Sequence, residues 1–406
     1  MGAPALQGEC DARFAPLADA LRENFASRGE LGAAVAVVLD GRPVVDLWGG
    51  WADEARTRPW ARETIVDGFS VGKAMAALCA LRLAEHGALD LDAPVAERWP
   101  EFGAAGKEAI TARMILAHRA GLPAIRRLLP LEAIFDWERI ATALAAEQPW
   151  WEPGSAHGYH VNTFGFLIGE VVRRAAGVGI AEYLRREITG PLDADFGFGL
   201  GPEEQARCAE FSFGGGTSEP TEEDRERALG HAGTRLLLER AYWNPPGISG
   251  TEGTVNTPAW RAAVIPSANG HGTARGVARI YAALLGPVAA DPGAAAGSTA
   301  PTGSPPATRG PLLEPATLAE AIAEASSGAD LVLGRPSRFG LGFQLTEPER
   351  PLGPNPRAFG HFGAGGSLGF ADPDAGLAFA YLMNRGGPRW RSPRNRALLE
   401  ALYASV

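Results

Sequence analysis

Apolar residues fill positions 31–39 and 43–50, and the polar trio Asp40-Gly41-Arg42 between them has the turn chemistry of a β-hairpin. Ahead of this pair, positions 12–27 carry apolar residues at helical spacing, which predicts an amphipathic helix. A further apolar run, 74–81, consists of strong helix formers; it starts just after Ser70 and meets a stop signal at Gly87. Helical patterning returns at 111–118, 131–146, 161–175 and 180–188, with Pro and Gly turns between. Toward the C-terminus, strand-like runs at 339–345, 367–371 and 377–383 are followed by a closing helix at 394–404. This order predicts an α+β fold: an antiparallel sheet flanked by helices and formed by both chain ends, with a mostly helical lobe inserted. The expected division assigns 1–69 and 265–406 to the sheet lobe and 70–264 to the helical one.

Composition narrows the function more than the fold. The chain has 406 residues, 46% of them hydrophobic, which exceeds the usual size of one core and predicts two lobes with a site at their interface. Positions 289–310 are almost entirely Ala, Pro, Gly, Ser and Thr, too poor in large apolar groups to order themselves, and predict a mobile surface loop. A net charge of −9 leaves no electrostatic footprint for nucleic acid or an anionic membrane, so small-molecule chemistry is the expectation. No segment has the length of a membrane span, and positions 1–10 lack the basic and apolar regions of a signal peptide, so a cytoplasmic location is expected. Cys10, Cys79 and Cys208 stand at unrelated spacings and suggest neither a disulfide framework nor zinc. His157 and His160 form a close pair, but no third ligand accompanies them in a recognisable spacing, and no metal site is predicted. Trp150-Trp151 and Tyr242-Trp243 read as core or lobe-interface aromatics.

Ser70-Val71-Gly72-Lys73 carries the most specific chemistry. It places a hydroxyl and an amine three residues apart, hence on one helix face, at a helix N-terminus where free N–H groups favour developing negative charge. Tyr159 is delivered by a turn-rich approach just before the apolar stretch 161–172, and His361-Phe362-Gly363-Ala364 lies in a Gly-rich strand edge where a backbone can approach a substrate closely. A second serine competes, since Gly365-Gly366-Ser367-Leu368-Gly369 satisfies G-x-S-x-G. That motif needs a helix after the serine, whereas here a turn into the strand-like 377–383 follows, so Ser367 is read as a small residue lining a strand.

With these three segments in order, the chain resembles the serine β-lactamase and penicillin-recognising family, most closely the carboxylesterases built on a class C β-lactamase fold, the family VIII esterases. Positions 110–123 and 269–275 agree with the family's pattern, and the likeness spans roughly 30–385. The resemblance implies an acyl-enzyme on Ser70, proton transfer by Lys73 and Tyr159, and an oxyanion hole made by the N–H groups of Ser70 and Ala364, with His361 and Gly363 lining the substrate strand. No cofactor is implied. Two departures bear on the substrate: Val161 stands where β-lactamases carry an amide-reading Asn, and His361 replaces a Lys suited to a carboxylate. An imidazole charged only in part near neutral pH points toward neutral short-chain esters. Free Lys and Tyr titrate near 10.4 and 10, so the pair is expected to share one proton, and the sequence leaves open which of the two is the base. The remaining alternatives are a β-lactamase, D-amino-acid peptidase or acyltransferase of the same fold, and a member that binds ligands without turning them over.

Overall fold

Asp40 (φ 48°) and Gly41 (φ 74°) both adopt the left-handed conformation that a two-residue hairpin turn requires, and Leu39 pairs with Arg42 across it. In this computed structural model, which describes residues 5–214, 232–289, 310–387 and 391–406, that turn joins β2 (Gly32–Leu39) to β3 (Arg42–Gly50). The remaining strands are β1 (Gln7–Cys10), β4 (Val66–Asp67), β5 (Phe196–Gly197), β6 (His271–Gly272) and β7 (Ser326–Ala329). They continue with β8 (Pro336–Phe339), β9 (Gln344–Leu345), β10 (Phe359–Phe362), β11 (Leu368–Asp372) and β12 (Leu377–Met383).

Nine strands form one antiparallel sheet in the order β1-β3-β2-β12-β11-β10-β9-β8-β7. Its centre is the pairing of β2 with β12, from Leu377 opposite Leu39 to Met383 opposite Ala33, so strands from both chain ends meet as the apolar pattern predicts. Both strands are buried along nearly their whole length, which is why they read as continuous apolar runs and not as alternating ones. The helix Ala274–Leu285 packs on β2, β11 and β12, while Ala15–Ser27 and Pro393–Tyr403 pack on each other. The β-lactamase/transpeptidase-like α+β fold expected from the sequence is the one observed.

The helix Val71–Glu85 places the site. It packs against the helix Thr163–Ala176 on one side and β10 on another, and its residues from Val71 to Leu81 are all buried. One contiguous apolar cluster runs from Val37 in the sheet through Leu78 to Phe164 and Phe166 in the helical part. A second, smaller cluster holds Ala124, Tyr159, Val161, Leu237, Ala241, Val332 and Phe339.

Local differences from the expected elements have local causes. The run 339–345 is two strands, because the chain turns at Gly342 (φ 83°), whose N–H bonds to Leu116 O at the end of the helix Ala112–Leu116 and which lies against Ala77 of the helix that follows Ser70. The stretch 131–146 is a 3-10 turn, Leu131–Phe135, followed by the helix Trp137–Ala146, since Asp136 between them accepts the Arg139 N–H and caps the second piece. The stretch 180–188 is a short α-helix, Ile180–Leu184, that widens into a π-turn, Arg185–Thr189. Of the low-complexity stretch expected as a loop, all but Ala289 and Gly310 lies outside the described residues.

Candidate active site

Strand β4 ends three residues before Ser70, and the chain then turns sharply through Phe69, which adopts φ 49°. Asp67 secures that turn by accepting the Phe69 N–H (2.7 Å) and the Trp260 indole N–H (3.0 Å), and burial raises its pKa to about 8. Ser70 is the N-cap residue of the helix, but its side chain makes no capping bond. Its hydroxyl turns instead toward Lys73, whose Nζ is 3.1 Å away, and toward Ser267 O at 3.4 Å.

Lys73 is fully buried, and Nζ makes two further hydrogen bonds, to Val161 O (2.6 Å) and Ser267 O (2.9 Å). Desolvation holds its pKa well below the ordinary value of 10.5. Both carbonyls are fixed from the same helix: Val161 lies just before Thr163–Ala176, and the Gly165 N–H of that helix donates to Ser267 Oγ at 2.7 Å. Val161 thus takes part in the site through its main-chain oxygen.

Tyr159 is buried, stacked on Phe339 (centroids 5.8 Å apart, planes within 5°) and tilted against His118 (5.0 Å). Lys73 Nζ sits over its ring face, 4.9 Å from the centroid. Burial pushes the phenol pKa up, and hydrogen bonding with the Ser70 hydroxyl pulls it part of the way back. The pair therefore differs from the ammonium and phenolate that the shared-proton expectation allowed, because burial of both groups drives each toward its neutral form, amine and phenol.

The third segment arrives on β10. His361 Nδ1–H donates to Phe362 O at 2.7 Å, which fixes the tautomer, and its ring centroid lies 6.0 Å from that of Tyr159. Burial, with Lys73 nearby, lowers its pKa to about 3. The imidazole is thus neutral near pH 7 and not partly charged, a correction that follows from its complete desolvation. Gly363 is required by contact: a Cβ there would meet Gly68 O at 2.2 Å, so the end of β10 is seated directly on the turn that leads to Ser70. Ala364 opens the turn Ala364–Gly366 and Ser70 heads its helix, so the N–H of each precedes the first intrahelical bond.

The competing serine is elsewhere in kind. Ser367 is completely buried between β10 and β11, is followed by strand and not by helix, and its Oγ has no hydrogen-bond partner among the described residues. His157 Nε2 bonds with Ser337 Oγ (2.9 Å), and His160 accepts the Leu122 N–H at Nε2 (3.1 Å) while its Nδ1 bonds Gly158 O (2.7 Å), so both nitrogens of His160 and Nε2 of His157 are engaged by the protein. Among the described residues no group of three or more His, Cys, Asp or Glu is placed to hold a metal ion.

Sequence reasoning missed two features. Ser267 acts through its carbonyl, a group every residue has, so no side-chain signal marks it. Asp330 accepts the Tyr159 N–H from 171 positions away, which no local pattern reveals. Trp150, Trp151 and Tyr242, expected as core or lobe-interface aromatics, pack with Leu238 and Leu333 against the small cluster that holds Tyr159, Leu237 and Val332.

A family model described as Beta-lactamase matches residues 17–403. Esterase/beta-lactamase LipL of Mycobacterium tuberculosis (strain ATCC 25618 / H37Rv) is 35% identical over 392 residues, covering 93% of this chain and 82% of that protein. Among solved structures, a family VIII carboxylesterase superposes with a TM-score of 0.85 at 36% identity, over 99% of this chain and 100% of that one. A penicillin-binding protein homolog from Caulobacter crescentus gives 0.84 at 37% identity, over 99% and 100% of the two chains. Among the described residues, no helix is long and apolar enough to cross a membrane.

Proposed function

The chain belongs to the beta-lactamase family, and from that premise we propose that it is a serine carboxylesterase, cleaving neutral short-chain esters through an acyl-enzyme on Ser70. The observation that carries this reading is the buried Lys73 amine 3.1 Å from Ser70 Oγ with only neutral hydrogen-bond partners. A neutral amine has two N–H donors and one lone pair. With the donors given to Val161 O and Ser267 O, the lone pair is left for the Ser70 hydroxyl proton.

In acylation, Lys73 takes that proton as Ser70 Oγ bonds to the ester carbonyl carbon, and the oxyanion is received by the Ser70 and Ala364 N–H groups. Each such donor typically contributes about 3 kcal/mol to transition-state stabilisation. Tyr159 then gives its phenol proton to the leaving alcohol as the C–O bond breaks, which leaves an ammonium and a phenolate side by side. In deacylation the phenolate takes a proton from the attacking water, Ser70 leaves with the Lys73 proton, and the starting state returns.

The substrate class follows from what lines the third segment. A neutral His361 offers no permanent cation to a carboxylate, while the wall of Leu237, Val332 and Leu333 suits an acyl chain. The relative named Esterase/beta-lactamase keeps lactam turnover as the competing outcome. Turnover of a panel of nitrophenyl esters and chromogenic cephalosporins separates the two: the proposal requires ester kcat/KM to exceed lactam kcat/KM, and the reverse order would overturn it.

A further inference from the structure

Asp330 lies in the connection between β7 and β8, and its carboxylate is completely buried. Oδ1 accepts N–H bonds from Tyr159 (3.0 Å), Val332 (2.9 Å) and Leu333 (2.8 Å). Oδ2 accepts from Tyr159 N (3.1 Å) and from the Ser337 hydroxyl (2.7 Å). Ser337 bonds in turn with His157 Nε2, and the Leu331 N–H donates to His157 O at 3.2 Å, so the segments 157–159 and 330–333 are tied together at both ends.

We infer that Asp330 is a positioning residue for the proposed ester hydrolysis, setting the Tyr159 phenol against Ser70 and, through Val332 and Leu333, the length of acyl chain the site accepts. The inference rests on that functional reading. The two effects are joined because one carboxylate anchors both the main chain of Tyr159 and the two wall residues that cluster with it. Val161, two positions beyond Tyr159, supplies a Lys73 acceptor, so a shift of the Tyr159 backbone is passed to the amine as well. An amide at position 330 keeps Oδ1 for the Tyr159, Val332 and Leu333 N–H groups but puts N–H donors in place of Oδ2, so the Tyr159 N–H loses one of its two acceptors and faces a donor, and the Ser337 hydroxyl loses the oxygen to which it donates.

The test compares Asp330→Asn and Ser337→Ala with wild type in the full chain, using nitrophenyl esters from acetate to octanoate, thermal melting, and the rate at which a fluorophosphonate labels Ser70. For Asp330→Asn, kcat on acetate is expected to fall about 10–100-fold, the scale expected when a catalytic group is displaced by about an ångström, with KM changed less than about threefold. The octanoate-to-acetate ratio is expected to rise as the wall loosens, and labelling to slow with kcat. Ser337→Ala, which removes one outer donor, should move the same quantities in the same direction by a smaller factor. A folded Asp330→Asn enzyme with wild-type kcat and chain-length profile overturns the inference, and if that variant does not fold, an unchanged Ser337→Ala profile does so. Wild-type enzyme that labels but hydrolyses no ester would sink the proposed function while labelling rates still judge Asp330. Wild type that does neither would sink both.

Discussion

Lys73 Nζ lies 3.1 Å from Ser70 Oγ, and the other hydrogen bonds of the amine end on two main-chain carbonyls, those of Val161 and Ser267. Because no carboxylate stands among these partners, nothing in direct contact compensates for desolvation, and the amine is pushed toward its basic, uncharged form. The phenol of Tyr159, buried beside it, is pushed toward its protonated form.

From this follows a pH dependence with a definite sign. The rate kcat/KM should rise with pH as the Lys73 ammonium loses its proton, at a pH well below 10.5, and should not fall again below pH 10, because the Tyr159 phenol titrates above its ordinary 10.0. Initial rates on nitrophenyl acetate, corrected for spontaneous hydrolysis, give the profile. A bell with a descending limb near pH 8 would contradict the assignment of base and acid.

Lys73 and Tyr159 should also fail as one unit. Lys73→Ala and Tyr159→Phe are each expected to lower kcat by about 10²–10⁴, the usual range for proton-transfer groups, with the double variant little worse than the poorer single one. Losses that add in log kcat across the double-mutant cycle would show that the two act independently.

His361→Lys installs a permanent cation at a position where the native ring is neutral, with a pKa of about 3. The ratio of kcat/KM on an anionic cephalosporin to that on a neutral acetate ester should rise by about tenfold, the equivalent of about 1.4 kcal/mol, and ester turnover should drop. Unchanged kinetics in both His361→Lys and His361→Ala would make the residue a structural one.

Acid stability is set by the same burial. The pKa values of His160, His271 and His361 are lowered to about 4, 3 and 3, so the unfolded chain binds protons below about pH 6.5 that the folded chain refuses. Stability is therefore lost as pH falls, by about 2–3 kcal/mol for each such histidine between pH 6.5 and 4.5. Asp67, raised to about 8, and Glu30, also raised, run the other way and gain stability as pH falls. The histidines outnumber them, His118 and His157 being lowered too, so urea midpoints should fall from pH 7 to pH 5; a midpoint that rises would refute the neutral-histidine description.

Much of this could be read from residues in order along the chain. The hairpin at Asp40-Gly41, the strand Leu377–Met383 and the helix after Ser70 are each declared by long apolar runs with a turn or stop residue at the end. Strands β1, β4, β6 and β7 were not legible, because two to four mostly polar or glycine residues carry no periodicity and are defined by the partner they pair with. The three motifs of the site could be read, but not their charge states: His361 is an ordinary histidine in sequence, and only the burial of β10 makes it neutral. Main-chain groups such as Ser267 O leave no trace in sequence at all.

The identity of the nucleophile is the point on which the rest depends. Wild-type enzyme trapped with a fluorophosphonate and digested should carry the adduct on the peptide containing Ser70, and Ser70→Ala should take none while Ser367→Ala takes a full equivalent. An adduct on Ser367, or full labelling of folded Ser70→Ala, would contradict the acyl-enzyme mechanism proposed for this chain.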